Sequence, residues 1–186
     1  MPTEKLEIQQ QKMHKDIFDR CKTAIDNGFY FEALLLEYSA LEGRFEIILG
    51  VLGLPCNKNL PPEIRKKFQF SHRLQCIKKL FDKKHPITQK SKMTPKDFKG
   101  LDNWRNERNR YIHGLAKAAD LYNPRLKAVR KMAEDGYEYM RLIYNETSRL
   151  KRLAKSHPEM FDSTIICGSS SCEMYVSSDV LPSKTQ

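Results

Sequence analysis

The sequence predicts an all-α fold, a bundle of about five helices followed by a short C-terminal tail. Three observations predict it: apolar residues recur at helical spacing through most of the chain, helix start and stop signals separate those stretches, and nothing before residue 158 has a strand pattern. Over residues 4–27, Ile17, Phe18, Cys21, Ala24 and Ile25 make one apolar helix face, and Asn27-Gly28 is the stop. Residues 29–52 are greasier, with Ala33, Leu34, Leu35, Leu36, Leu41, Phe45, Ile48, Leu49 and Leu52 covering most of the circumference. Such a helix is central in a bundle or lies at an oligomer interface. Residues 53–62, rich in Gly, Pro and Asn, read as a loop. A third helix over residues 63–83 turns Ile64, Phe68, Leu74, Ile77, Leu80 and Phe81 inward. It closes at His85-Pro86, since the residue before proline avoids helical geometry.

Thr94, Pro95 and Asp97 mark the next start: an N-cap, a proline at the first helical position, and an acid that can reach back. That helix runs to about residue 117, and Asn123-Pro124 opens a last long one reaching about residue 155. Beyond His157-Pro158 the composition changes. Residues 158–186 hold one base, Lys184, against Glu159, Asp162, Glu173 and Asp179, a balance of −3; the whole chain is +10, which leaves +13 for residues 1–157. The division expected is a bundle over 1–157 and a tail over 158–186. Residues 164–167 and 172–176 flank Gly168 and three serines and could close a hairpin, which alone is marginal in water and either docks or moves.

With 33 Lys and Arg against 23 Asp and Glu, and 40% hydrophobic residues, the chain reads as a folded basic protein. No apolar run approaches the roughly 20 residues of a membrane span, and the N-terminus lacks a signal-peptide pattern. Five cysteines without a C-x-x-C pair or zinc spacing suggest reduced thiols, so the expectation is a cytoplasmic protein with no metal and no cofactor.

Chemistry concentrates in residues 101–114. On a helix Leu101, Trp104, Tyr111, Ile112 and Leu115 fall along one inward face. Arg105, Asn109 and His113 form a polar stripe of successive i+4 neighbours, with Asn106 and Arg110 beside it. Arg108 lies toward the packed side and needs a partner there; Glu37, Glu42 and Glu46 on the second helix are the candidates. A lone histidine on a helix is more often structural than catalytic. Here it shares a few turns with three arginines and two asparagines and is followed by Gly114, where backbone can come close to another chain or a ligand.

The stretch Arg108-Asn109-Arg110-Tyr111-Ile112-His113 resembles the Arg-x4-6-His motif of HEPN domains (higher eukaryotes and prokaryotes nucleotide-binding), in which a polar residue, often Asn, follows the Arg. Residues 30–42, Tyr-Phe-Glu-Ala-Leu-Leu-Leu-Glu-Tyr-Ser-Ala-Leu-Glu, are similar to that family's central helix. With the all-α order, the resemblance covers about residues 1–155. It implies a metal-independent endoribonuclease whose site forms across a homodimer, each subunit giving an Arg and a His. Carried over, the catalytic residues are Arg108, Asn109 and His113. It also implies a toxin or antiviral-defence setting, with an antitoxin or other neutralising protein as partner. Because the family includes members without catalysis, the alternatives are a non-catalytic RNA- or nucleotide-binding module and a protein-interaction module.

The residue types suit RNA cleavage by its own 2′-hydroxyl. That reaction needs a base, an acid for the 5′-oxygen, and donors for the phosphorane oxygens. Histidine titrates near neutrality, and arginine offers a charged fork that binds two oxygens. Arg105, Asn106, Arg110 and Tyr111 are the expected RNA contacts around them, and Trp104 is expected in the core. Arg108 and His113, five residues apart, diverge by about 140° on a regular helix. They do not easily converge on one phosphate from a straight helix, and a second copy of the chain, or a helix break near Gly114, supplies the missing geometry. Basic residues on the third and last helices offer a path for an RNA backbone or are simply a solvated face.

Overall fold

The computed structural model describes residues 2–52, 70–82, 86–115 and 122–161. They form α1 (Pro2–Asp26), α2 (Tyr30–Val51), α3 (Phe70–Asp82), α4 (Pro95–Leu115) and α5 (Tyr122–Ser156), with 3-10 turns at Pro86–Thr88 and Pro158–Phe161. No strand occurs among the described residues, and the fold is all-α. The loop at residues 53–62, the start of the third helix at 63–69, its end at 83 and the tail hairpin lie outside the described residues.

Local chemistry sets the helix ends. Gly28 adopts φ +79°, a left-handed conformation that glycine takes without penalty. Its N–H donates to Ile25 O at 3.1 Å while Phe29 N–H donates to Ala24 O at 2.8 Å, so the last carbonyls of α1 are satisfied as the chain reverses. The start of α4 is capped from both directions. Thr94 N–H and its hydroxyl each donate to Asp97 Oδ2 at 2.7 Å, and Asp97 N–H donates back to Thr94 Oγ1 at 3.4 Å. Losing such a cap costs about 1 kcal/mol.

Packing divides the residues into two compact units, Met1–Phe45 with Lys92–Glu146, and Glu46–Ser91 with Thr147–Gln186. Helices α2 and α5 contribute to both. The first unit buries Cys21 and Ala24 of α1, Ala33, Leu34, Leu41 and Phe45 of α2, Phe98, Leu101 and Trp104 of α4, and Val129, Ala133, Met140 and Ile143 of α5. Phe18 adds edge-on contacts to the Tyr137 and Tyr144 rings at 5.8 and 5.4 Å. Each large apolar side chain so buried stabilises the fold by about 1.5–3 kcal/mol. Cys21 is a free thiol, and burial above all pushes its pKa up to about 12, which leaves it protonated and inert.

In the second unit Ile48, Leu49 and Leu52 join Phe70, Leu74, Ile77, Ile87 and Leu150 in the core. Arg73, buried on α3, is held by Glu46 at 3.1 Å. Arg149 donates to Ile87 O at 2.7 Å, fastening the turn after α3 to the last part of α5. Phe70 is wholly buried, and Phe68 lies outside the described residues. No described helix is long and apolar enough to cross a membrane.

Candidate functional site

Helix α4 carries every residue of the expected site. Trp104 anchors it: the indole is 4% exposed and its N–H donates to Met132 O of α5 at 2.9 Å. With Leu101 and Phe98 also buried, the rotation of α4 about its axis is fixed, and so is the direction of each polar side chain.

Arg108 is half-buried. Its guanidinium lies over the Tyr38 ring of α2, 4.2 Å from the centroid, and Nη1 donates to Asn109 Oδ1 at 3.0 Å. Burial lowers its pKa from the ordinary arginine value, opposed by Tyr38 and Glu42. Of the three acids expected as its partner, Glu42 thus acts through its field. Glu46 is 3.1 Å from Arg73. Glu37 is a correction: it is fully buried, and neither carboxyl oxygen has a hydrogen-bond partner among the described residues. A β-carbon built at Gly136 would lie 2.1 Å from Glu37 Oε2 and 2.8 Å from a Trp104 ring carbon, which places Glu37 against the α5 backbone and the indole. The expected Arg108–Glu37 pair does not form because Glu37 points into the core while Tyr38, its neighbour, meets Arg108.

The remaining residues of the stripe are arranged as follows. Arg105 Nη2 is 3.1 Å from Asp102 and donates to Asn106 Oδ1 at 2.8 Å, so this nitrogen is engaged within its own helix. Arg110 is 73% exposed and paired with Glu107 at 3.0 Å, a surface pair of little strength. Tyr111 and Ile112 are half-buried rather than core residues, and His113 is exposed. Asn109 turns its side-chain oxygen to Arg108 rather than to the His113 ring. Helix α4 continues through Gly114 to Leu115 without a break, so Arg108 and His113 stay on faces about 140° apart. Of the two routes to convergence, the helix break at Gly114 is removed.

Two residues here escape a sequence reading. Tyr38 is an aromatic next to Glu37 on an apolar helix, and only the packing of α2 on α4 shows it as a platform. Gly136 carries a signal, since glycine within a long helix costs about 1 kcal/mol relative to alanine and so marks a close approach. Among the described residues no group of three or more His, Cys, Asp and Glu side chains is placed to hold a metal ion.

Glu37 leads to a pH-dependent expectation. Burial raises its pKa from about 4.5 to about 9, so the folded protein keeps it neutral where the unfolded chain ionises it. Its contribution to stability is full below about pH 4.5 and is lost as pH rises to about 9, at about 1.4 kcal/mol per pH unit. Glu37→Gln removes that ionisation. Urea unfolding at pH 5.5, 7 and 8.5 is expected to show the variant gaining on the wild type with each step in pH. A constant difference would contradict a neutral buried carboxyl.

Comparison of the chain with known protein families, curated proteins and solved structures finds no match.

Proposed function

We propose that the chain is a metal-independent endoribonuclease of HEPN type, working as a homodimer with Arg108 and His113 from both copies at one composite site. The observation that carries the reading is the unbroken course of α4 through Leu115. It keeps a half-buried arginine and an exposed histidine on different faces, which favours a site shared by two copies with their α4 helices facing each other over one closed within a single chain.

In that arrangement the His113 imidazole of one copy takes the proton from the ribose 2′-hydroxyl as its oxygen attacks the phosphorus. The imidazolium of the other copy gives a proton to the departing 5′-oxygen. The products are a 2′,3′-cyclic phosphate and a 5′-hydroxyl. Arg108 binds the non-bridging oxygens, where negative charge builds up. Its stacking on Tyr38 and its bond to Asn109 hold the guanidinium before substrate arrives, so less freedom is lost on binding. Asn109 therefore supports Arg108. Arg110 and Tyr111, on exposed and half-exposed positions of α4, are suited to contact flanking nucleotides. A toxin or defence role, with a neutralising protein partner, follows from the resemblance alone.

The test is incubation of a labelled RNA with the wild-type protein and excess EDTA, with analysis of the product ends. The expected result is cutting that yields 2′,3′-cyclic phosphate ends and stops when the nucleotide 5′ to the cut is 2′-deoxy. Binding without shorter products would replace this reading with the RNA-binding module.

A further inference from the structure

The described residues of the second unit carry eight Lys and Arg against three acids. All three acids are engaged: Glu46 with Arg73 at 3.1 Å, Asp82 with Lys78 at 3.4 Å, and Glu159 with the His157 ring at 3.1 Å. Helix α5 shows the same segregation along its length. In its earlier part three bases are paired with acids one turn away, Arg130 with Glu134, Lys131 with Asp135 and Arg141 with Glu138. After Glu146 the pattern stops, and Arg149, Lys151, Arg152 and Lys155 follow with no acid before Glu159.

Geometry gathers these charges. Lys151, Arg152 and Lys155 are all exposed and lie within about 100° of the helix circumference. Arg149 points away from that face and donates to Ile87 O at 2.7 Å, which fixes the last turns of α5 on the turn after α3. A cationic face on a fixed scaffold attracts a polyanion and releases its counterions on contact. Bases at a helix C-terminus also favour the helix dipole, but that effect is a few tenths of a kcal/mol and reaches only the last turn. It does not extend to Lys151, which lies more than one turn before the end of the helix at Ser156.

We propose that Lys151, Arg152 and Lys155 form a binding surface for the phosphodiester backbone of RNA, separate from the Arg108 and His113 site. The inference rests on the RNA reading for its ligand and not on cleavage. Such a surface holds substrate by phosphate contacts without reading sequence, and so it raises affinity and leaves the chemical step alone.

The experiment measures binding of a fluorescent, uncleavable 2′-O-methyl RNA of about 20 nucleotides between 50 and 200 mM salt. It compares the full-length wild type, the Lys151→Ala/Arg152→Ala variant, and Arg130→Ala/Lys131→Ala as a control of equal charge loss. The first variant is expected to bind at least five-fold more weakly at 100 mM salt, with a log–log salt slope shallower by about 1.4, and to melt as the wild type does. The control is expected to bind nearly as the wild type. Equal binding by wild type and Lys151→Ala/Arg152→Ala, an equal loss in the control, or no binding by the wild type would overturn the surface. Cleavage of unmodified RNA by the same proteins separates the two claims. Binding that depends on Lys151 and Arg152 without any cutting keeps the surface and removes the nuclease; cutting with unchanged binding in the variant does the reverse.

Discussion

Gly136→Ala is expected to lower the stability of the protein by about 2–3 kcal/mol and the melting temperature by about 5–10 °C, although alanine is the better helix former. The added methyl would stand 2.1 Å from Glu37 Oε2 and 2.8 Å from both the Glu37 carboxyl carbon and a Trp104 ring carbon, far inside contact distance. Neither neighbour yields cheaply. Glu37 is fully buried, and the Trp104 indole is held by its bond to Met132 O at 2.9 Å. The forced shift exceeds the roughly 1 kcal/mol that alanine gains over glycine in a helix. Because one of the two clashes is with the Glu37 carboxyl, Glu37→Ala in the same chain is expected to recover part of the loss, a coupling that thermal melts of the two single variants and the double variant measure. A rise in melting temperature for Gly136→Ala would contradict the close approach of α2, α4 and α5 at this point.

Arg108→Ala is expected to reduce RNA cleavage by about 10²- to 10³-fold, the loss seen when one donor to a developing oxyanion is removed, while the melting temperature changes by only a few degrees. The guanidinium stacks on Tyr38 and bonds Asn109, contacts worth about 1 kcal/mol at a partly exposed site. Arg108→Lys keeps the charge and loses the fork, and is expected to fall between the two. If Arg108→Ala instead unfolds the protein or separates a dimer into monomers, Arg108 is a structural residue, and the interaction-module reading is favoured over the nuclease.

The helix ends were legible because local residues fix them. Asn27-Gly28 turns the chain as its conformational freedom suggests, and Thr94, Pro95 and Asp97 make the cap that their spacing predicts. Trp104 falls in the core as its place on the inward face of α4 requires. The partner of Arg108 was not legible, because it depends on how α2 rotates against α4. One residue of rotation separates Glu37, lodged in the core, from Tyr38, under the guanidinium. Nor could the sequence show that Gly114 leaves α4 intact, since a single glycine weakens a helix without ending it. The division into two units was hidden for a similar reason: α2 is apolar nearly all round and α5 is periodic throughout, and which neighbours each half buries is set by the rest of the chain.

The composite site is tested most directly by cleavage of a labelled structured RNA, with EDTA present, by the wild type and by His113→Ala at matched concentration and elution volume. His113 is exposed on α4, so its loss leaves the fold intact. Removing both the base and the acid of a two-fold site is expected to lower the rate by at least 10²- to 10⁴-fold, with cyclic-phosphate ends from the wild type alone. Equal cutting by His113→Ala, or a wild type that binds the RNA and never shortens it, would contradict the account.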